Sequence, residues 1–98
     1  MIVEIQCLPS PAGPTADPYR HIEAAIAVVE ASGLKFEVGA LGTTFEGDPE
    51  AVWMVARRAH EACLVAGAHS VVTVLKVYEA APALPSATID SLTGKFRT

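Results

Sequence analysis

Two Asp-Pro steps, Asp17-Pro18 and Asp48-Pro49, divide this 98-residue chain into two copies of one pattern. Each step follows an extended, strand-like stretch and precedes a run with helical spacing. Asp is a good N-cap because its carboxylate accepts from orphan backbone donors. Pro at the first helical position costs nothing, since its missing donor has no partner there anyway. Each helical run then ends at a glycine, Gly33 or Gly67, and a second strand follows. A strand–helix–strand unit repeated in a chain of single-domain length leaves few architectures open.

In the first copy, Val3, Ile5 and Cys7 alternate with Glu4 and Gln6, the period of a half-buried strand. The segment Pro9-Ser10-Pro11-Ala12-Gly13-Pro14 is too rich in proline for a helix or central strand, so it is a stiff loop. Tyr19, Ile22, Ala25, Ile26 and Val29 then form the expected buried stripe of a helix that closes at Ser32-Gly33. The next strand sends Leu34, Phe36 and Val38 to one face and Lys35 and Glu37 to the other. In the second copy, a glycine-dependent hairpin over residues 39–42 leads to a strand of Thr43, Thr44, Phe45 and Glu46. The second helix buries Val52, Val55, Ala56, Ala59 and Cys63, with Trp53, His60 and Leu64 on its flank. The Val- and Thr-rich stretch 69–78 is the last strand.

The order β-α-β-β-α-β predicts an α+β fold of the ferredoxin-like, split β-α-β type. Two helices pack on one face of a four-stranded antiparallel sheet, and the other face stays open. That open face is expected to carry Glu4, Gln6, Lys35, Glu37 and some of Thr43, Thr44 and Glu46, mixed with valines of the last strand. The domain spans residues 1–79. A tail, 80–98, carries Ile89, Leu92 and Phe96 at the spacing of a short docked helix, which Gly94 weakens.

Composition narrows the function classes. Hydrophobic residues make up 51% of the chain, yet no apolar run has the roughly 18 residues that a membrane span requires. The excess therefore points to surface covered by a second subunit. The start of the chain lacks the basic leader of a signal peptide, so a cytoplasmic protein is expected. Net charge is −4 and no basic stripe is visible, which argues against nucleic acid. Cys7 and Cys63 are far apart and lack a CxxC neighbour, so neither a disulfide framework nor a zinc site is expected.

Several residues admit a chemical reading beside an ordinary one. Glu4, Glu37 and Glu46 converge on one sheet face, where carboxylates can do acid–base work or bind a cation. On sequence alone the ordinary reading, solvent-facing strand residues or interface ion-pair partners, is the favoured one. His21, His60 and His69 lack ligand spacing, and His60-Glu61 lacks the second His of a zinc-protease helix. Trp53 or Tyr78 could stack on a ligand ring, although single aromatics beside a core stripe usually pack in the core or an interface. No catalytic constellation and no metal site stands out.

The run from Gly33 to Pro49, and most specifically its core Glu37-Val38-Gly39-Ala40-Leu41-Gly42-Thr43-Thr44-Phe45-Glu46-Gly47, resembles the signature of a family of small thiamine-binding proteins, once known only as a domain of unknown function. The opening Val3-Glu4-Ile5-Gln6-Cys7-Leu8-Pro9, the pairs His60-Glu61 and Ala66-Gly67, and the strand Val71-Val72-Thr73-Val74-Leu75-Lys76-Val77 resemble it too. The resemblance implies the ferredoxin-like fold, sheet-to-sheet dimers assembling to a homotetramer, and binding of thiamine or its hydroxymethylpyrimidine part without catalysis or a cofactor. The protein would then serve as a cytosolic buffer, carrier or salvage component. On chemistry and side-chain direction, Glu46, with Glu37 second, is the expected recognition carboxylate, and Gln6, Thr43 and Thr44 supply hydrogen bonds. Two other classes remain: a small dimeric enzyme of monooxygenase or isomerase type, and a regulatory small-molecule sensor.

Overall fold

The computed structural model describes residues 1–97; Thr98, the end of the expected tail, lies outside them. Strands β1 (Ile2–Ser10), β2 (Lys35–Val38), β3 (Thr43–Glu46) and β4 (Ser70–Tyr78) form one sheet in the order β2-β3-β1-β4. Every neighbouring pair is antiparallel. Helices α1 (Arg20–Ala31) and α2 (Pro49–Val65) cover one face. This is the ferredoxin-like α+β arrangement that the doubled pattern implies.

The register sorts the side chains. Val3 pairs with Phe45, and Phe45 with Phe36, so these point together toward the helices. With Ile5, Cys7, Ala25, Val29, Val52, Val55, Ala56, Ala59 and Cys63 they build the core, in which Phe45, Val29, Val52, Ala59 and Cys63 are fully buried. The α2 stripe is the one its spacing predicts.

Strand lengths are unequal, and this matters for the site. β1 pairs with β4 along its whole length, from Ile2 opposite Tyr78 to Ser10 opposite Ser70. β3 meets β1 only from Ile2 to Ile5. Residues 6–10 of β1 therefore project past their neighbour, with β4 on one side and no strand on the other.

Both helix starts differ from expectation. α1 begins at Arg20, with Tyr19 at the N-cap position and no side-chain cap. Asp17 lies before it, in a turn where its carbonyl accepts from Arg20 N at 3.1 Å and its carboxylate pairs with the Arg20 guanidinium. The helix thus starts later than Asp17-Pro18 suggests, because the preceding loop folds into its own turn. Tyr19 falls outside the helix and is exposed, and His21 is buried in its place. The His21 Nδ1 donates to the Pro11 carbonyl at 2.7 Å, fixing the stiff loop to α1. α2 does begin at Asp48-Pro49, but the Asp48 carboxylate makes no capping bond.

The expected docked helix exists as α3 (Ile89–Thr93), followed by a 3-10 turn at Gly94–Phe96. Thr88 Oγ1 accepts from Ser91 N at 3.0 Å, and Ser91 Oγ accepts from Thr88 N at 2.8 Å, a reciprocal capping box. Ile89 is buried, whereas Leu92 and Phe96 are exposed, so one apolar contact seats this helix rather than the three expected.

Candidate functional site

A cavity of about 200 Å³ opens where β3 stops short. Ile22, Ala25, Ile26 and Val29 of α1 form one wall, and residues 39–43 of the β2–β3 turn form another. The third wall is Ile5, Gln6, Cys7 and Leu8 of β1. Side chains of a strand alternate between faces, so four consecutive residues can line one cavity only along the strand's edge. From residue 6 onward that edge has no strand partner. Nor does any hydrogen bond from a turn, loop or cap reach the backbone of residues 6–8 among the described residues. The cavity thus combines apolar helix residues with main-chain donors and acceptors that a ligand can satisfy.

The turn is part of the wall because it packs directly on β1. A Cβ at Gly42 would lie 3.2 Å from the Ile5 carbonyl oxygen and 3.2 Å from Glu4 Cγ, so a side chain there would push the turn away. The turn itself is closed by Gly39 N donating to Gly42 O at 2.9 Å.

The five residues expected to contact a ligand do not converge. Gln6 and Thr43 line the cavity. Thr43 pairs with Ile5 and faces the helices, buried, rather than the open face. Alternation puts it on the same side as Phe45, two residues on. Thr44, Glu37 and Glu46 do share the open face, where Glu37 lies opposite Thr44. There the tail engages both carboxylates. Glu46 Oε2 accepts from Ile89 N at 3.2 Å, and Glu37 pairs with the Arg97 guanidinium. Asp90, beside Ile89, pairs with Arg97 and, at 3.1 Å, with Lys35 Nζ.

The other candidates have packing roles. His60 Nδ1 meets Thr73 Oγ1 at 2.5 Å, which ties α2 to β4, and the Thr73 hydroxyl donates to Cys7 Sγ at 3.6 Å. Burial, reinforced by the neighbouring Cys7, pushes the Cys63 thiol up to about 11, so it stays protonated and is a poor nucleophile near neutral pH. Trp53 is half-exposed on the outer face of α2 and Tyr78 donates its position to the tail, its hydroxyl accepting from Ala87 N at 3.2 Å. Among the described residues no three His, Cys, Asp or Glu side chains come together as a metal site, and no helix is long and apolar enough to cross a membrane.

Spacing alone identified the turn and the α1 stripe but gave them only structural roles. The missed feature is length: β1 runs nine residues, through Pro9 and Ser10, which pair with Val71 and Ser70 instead of belonging to the expected loop, against four residues in β3.

Residues 3–83 match the family described as thiamine-binding protein. The chain is 31% identical over 96 residues to a UPF0045 protein of Clostridium perfringens, covering 97% of this chain and 95% of that one. Among solved structures, it is similar to a DUF77 domain of unknown function from Bacillus cereus, with 37% identity, a TM-score of 0.80 and coverage of 99% of this chain and 91% of that one. It is also similar to a Thermotoga maritima protein described as a candidate thiamine biosynthesis/salvage protein, with 26% identity, a TM-score of 0.80 and coverage of 98% and 97%.

Proposed function

The chain belongs to the thiamine-binding protein family, and from that membership we propose that it binds thiamine, or its hydroxymethylpyrimidine part, in the cavity beside β1. The observation that carries this is the unpaired strand edge along an apolar cavity. An aminopyrimidine is flat and presents an amino donor next to a ring-nitrogen acceptor. That is the complement of a strand edge, on which N–H and C=O groups are presented side by side. A volume of about 200 Å³ is below the ~300–1,000 Å³ of sites for drug-sized ligands, so it suits one ring, with the second ring at the mouth. Gln6 and Thr43 are the side chains placed to add hydrogen bonds. Glu37 and Glu46 hold the tail instead, and Thr44 lies opposite Glu37 on the open face.

The protein acts as a cytoplasmic buffer, carrier or salvage component and does not transform its ligand. It does so as a homotetramer. Leu8, Val72 and Val74 lie side by side on the open sheet face, exposed, at the end the tail leaves bare, and a second copy covers them. Light scattering should report four chains, and a monomer at micromolar concentration would refute the assembly.

Calorimetry with thiamine and hydroxymethylpyrimidine tests the function. At about 100 times its dissociation constant the ligand should add roughly 2.7 kcal/mol to stability. Ile26→Phe, which fills the cavity, should abolish that gain while leaving the unliganded fold intact. No heat and no melting shift with either compound would sink the assignment, and turnover of either would make the protein an enzyme.

A further inference from the structure

Three glutamates, Glu4, Glu37 and Glu46, point to the open face, and the structure separates them. Glu37 and Glu46 are held by Arg97 and by the backbone of Ile89. Glu4 is held only by Lys76, its cross-strand neighbour, at 3.7 Å, with the lysine side chain 80% exposed. Such a pair is loose, because water competes for both partners. Glu4 does not line the cavity, but it is the one of the three whose stem packs beside a residue of the cavity wall. Its Cγ and Cδ sit 3.2 and 3.3 Å from where a Gly42 Cβ would be, and Gly42 is part of the cavity wall. The missing Cβ leaves room for the carboxylate stem there. Gln6 and Leu8, the next residues of β1 on the same face, border the cavity along the strand's free edge.

We infer that Glu4 selects for positive charge at the mouth of this cavity, so that the site prefers a flat ring joined to a cationic group over the neutral ring alone. The inference rests on the binding site proposed above. The cavity takes the neutral pyrimidine, and the cationic thiazolium emerges beside Gly42, where Glu4 faces it. A thiazolium nitrogen carries no proton, so the attraction is coulombic and needs proximity rather than hydrogen-bond geometry. It falls with added salt, because Glu4 is near solvent. Lys76 opposes it by competing for the same carboxylate. Anionic phosphate esters of the ligand place negative charge toward Glu4 and are disfavoured.

The test is calorimetry of the full chain with thiamine and with neutral hydroxymethylpyrimidine, on wild type, Glu4→Gln and Lys76→Met. At low salt, Glu4→Gln should weaken thiamine about fivefold and change the pyrimidine by less than about twofold, a size expected of one charge pair near water. Lys76→Met should tighten thiamine and leave the pyrimidine as it was. Both side chains are exposed, and thermal melts of the unliganded variants establish that each folds. Equal loss of both ligands in Glu4→Gln, or no loss of thiamine, would overturn the inference while leaving the site in place. Failure of wild type to bind either compound would overturn the site and Glu4's role together.

Discussion

The two β-α-β halves share a sequence pattern and differ in how well the pattern is covered. In the second half, α2 runs for 17 residues, and its stripe of Val52, Val55, Ala56, Ala59 and Cys63 is buried throughout. In the first half, α1 has 12 residues, and its aliphatic stripe is covered in part. Ala25 and Val29 are buried, but Ile22 and Ile26 are half-buried and look into the cavity. The helices are alike in kind, and the sheet beneath them makes the difference. β4 supports its side of the sheet over nine residues, while β3 ends after four. An apolar stripe without a floor leaves a pocket whose walls are mostly aliphatic, with Thr43 and the free edge of β1 as its polar groups.

The largest test of this contrast pairs a residue of the closed half with one of the open half. Phe45 on β3 is 0% exposed and packs under both helices. Phe45→Ala should cost about 3–5 kcal/mol, the range for losing a buried aromatic and leaving a cavity. Ile26→Ala should cost much less than the ~2–5 kcal/mol of a fully buried isoleucine, because its neighbour is already a void. Urea unfolding measures both. Equal losses would mean that the cavity is closed in solution and the halves are packed alike.

This difference explains what was legible in the sequence. Periodicity reports which way a residue points, and it placed the core of α2, both glycine helix ends and the alternation of β1 and β2. It does not report what lies opposite. The cavity arises from a mismatch between two strands 33 residues apart at their nearest ends, so nothing local encodes it. Glu37 and Glu46 were legible as open-face carboxylates, but their partners, Arg97 and Ile89, come from a tail whose docking rests on one buried side chain. Periodicity leaves open which of Thr43, Thr44 and Glu46 share the open face; Thr43, two residues before Phe45, pairs with Ile5 and so lies on the helix side.

A second test uses pH and the two cysteines. Cys7 borders the cavity, whereas Cys63 is 0% exposed in the closed half. Burial raises the Cys63 thiol from 9.0 to about 11. The folded protein therefore gives up this proton later than the unfolded chain does. The contribution is complete below pH 9, declines as pH rises, and is gone above about pH 11. The loss amounts to about 2–3 kcal/mol, from the ~1.36 kcal/mol that each unit represents. Urea unfolding of wild type and Cys63→Ala across pH 8 to 11 reads this loss together with the coupling to Cys7, since the remaining titrating groups are common to both. Parallel curves for the two proteins would mean that the second half opens to solvent at high pH.

The smallest effects come from the two aspartates that make the halves look alike. As capping residues, Asp17 and Asp48 would each contribute about 0.5–2 kcal/mol. Neither carboxylate caps its helix. Asp17 keeps an exposed ion pair with Arg20, of a kind that contributes about 0–1 kcal/mol. Asp48 keeps its place before Pro49, where its charge favours the positive end of α2 by about 0.3–1 kcal/mol and its carbonyl accepts from Val52 N at 2.9 Å. Alanine preserves the carbonyl bond and removes only the charge. Asp48→Ala should therefore lower stability slightly, and Asp17→Ala less still. Salt separates the terms, because 1 M sodium chloride screens both charges but would leave a capping hydrogen bond largely intact. If Asp48→Ala costs more than about 1 kcal/mol and the loss survives high salt, the carboxylate caps α2 in solution after all. The two helix starts would then differ, with the long helix of the closed half capped and the short helix over the cavity left free.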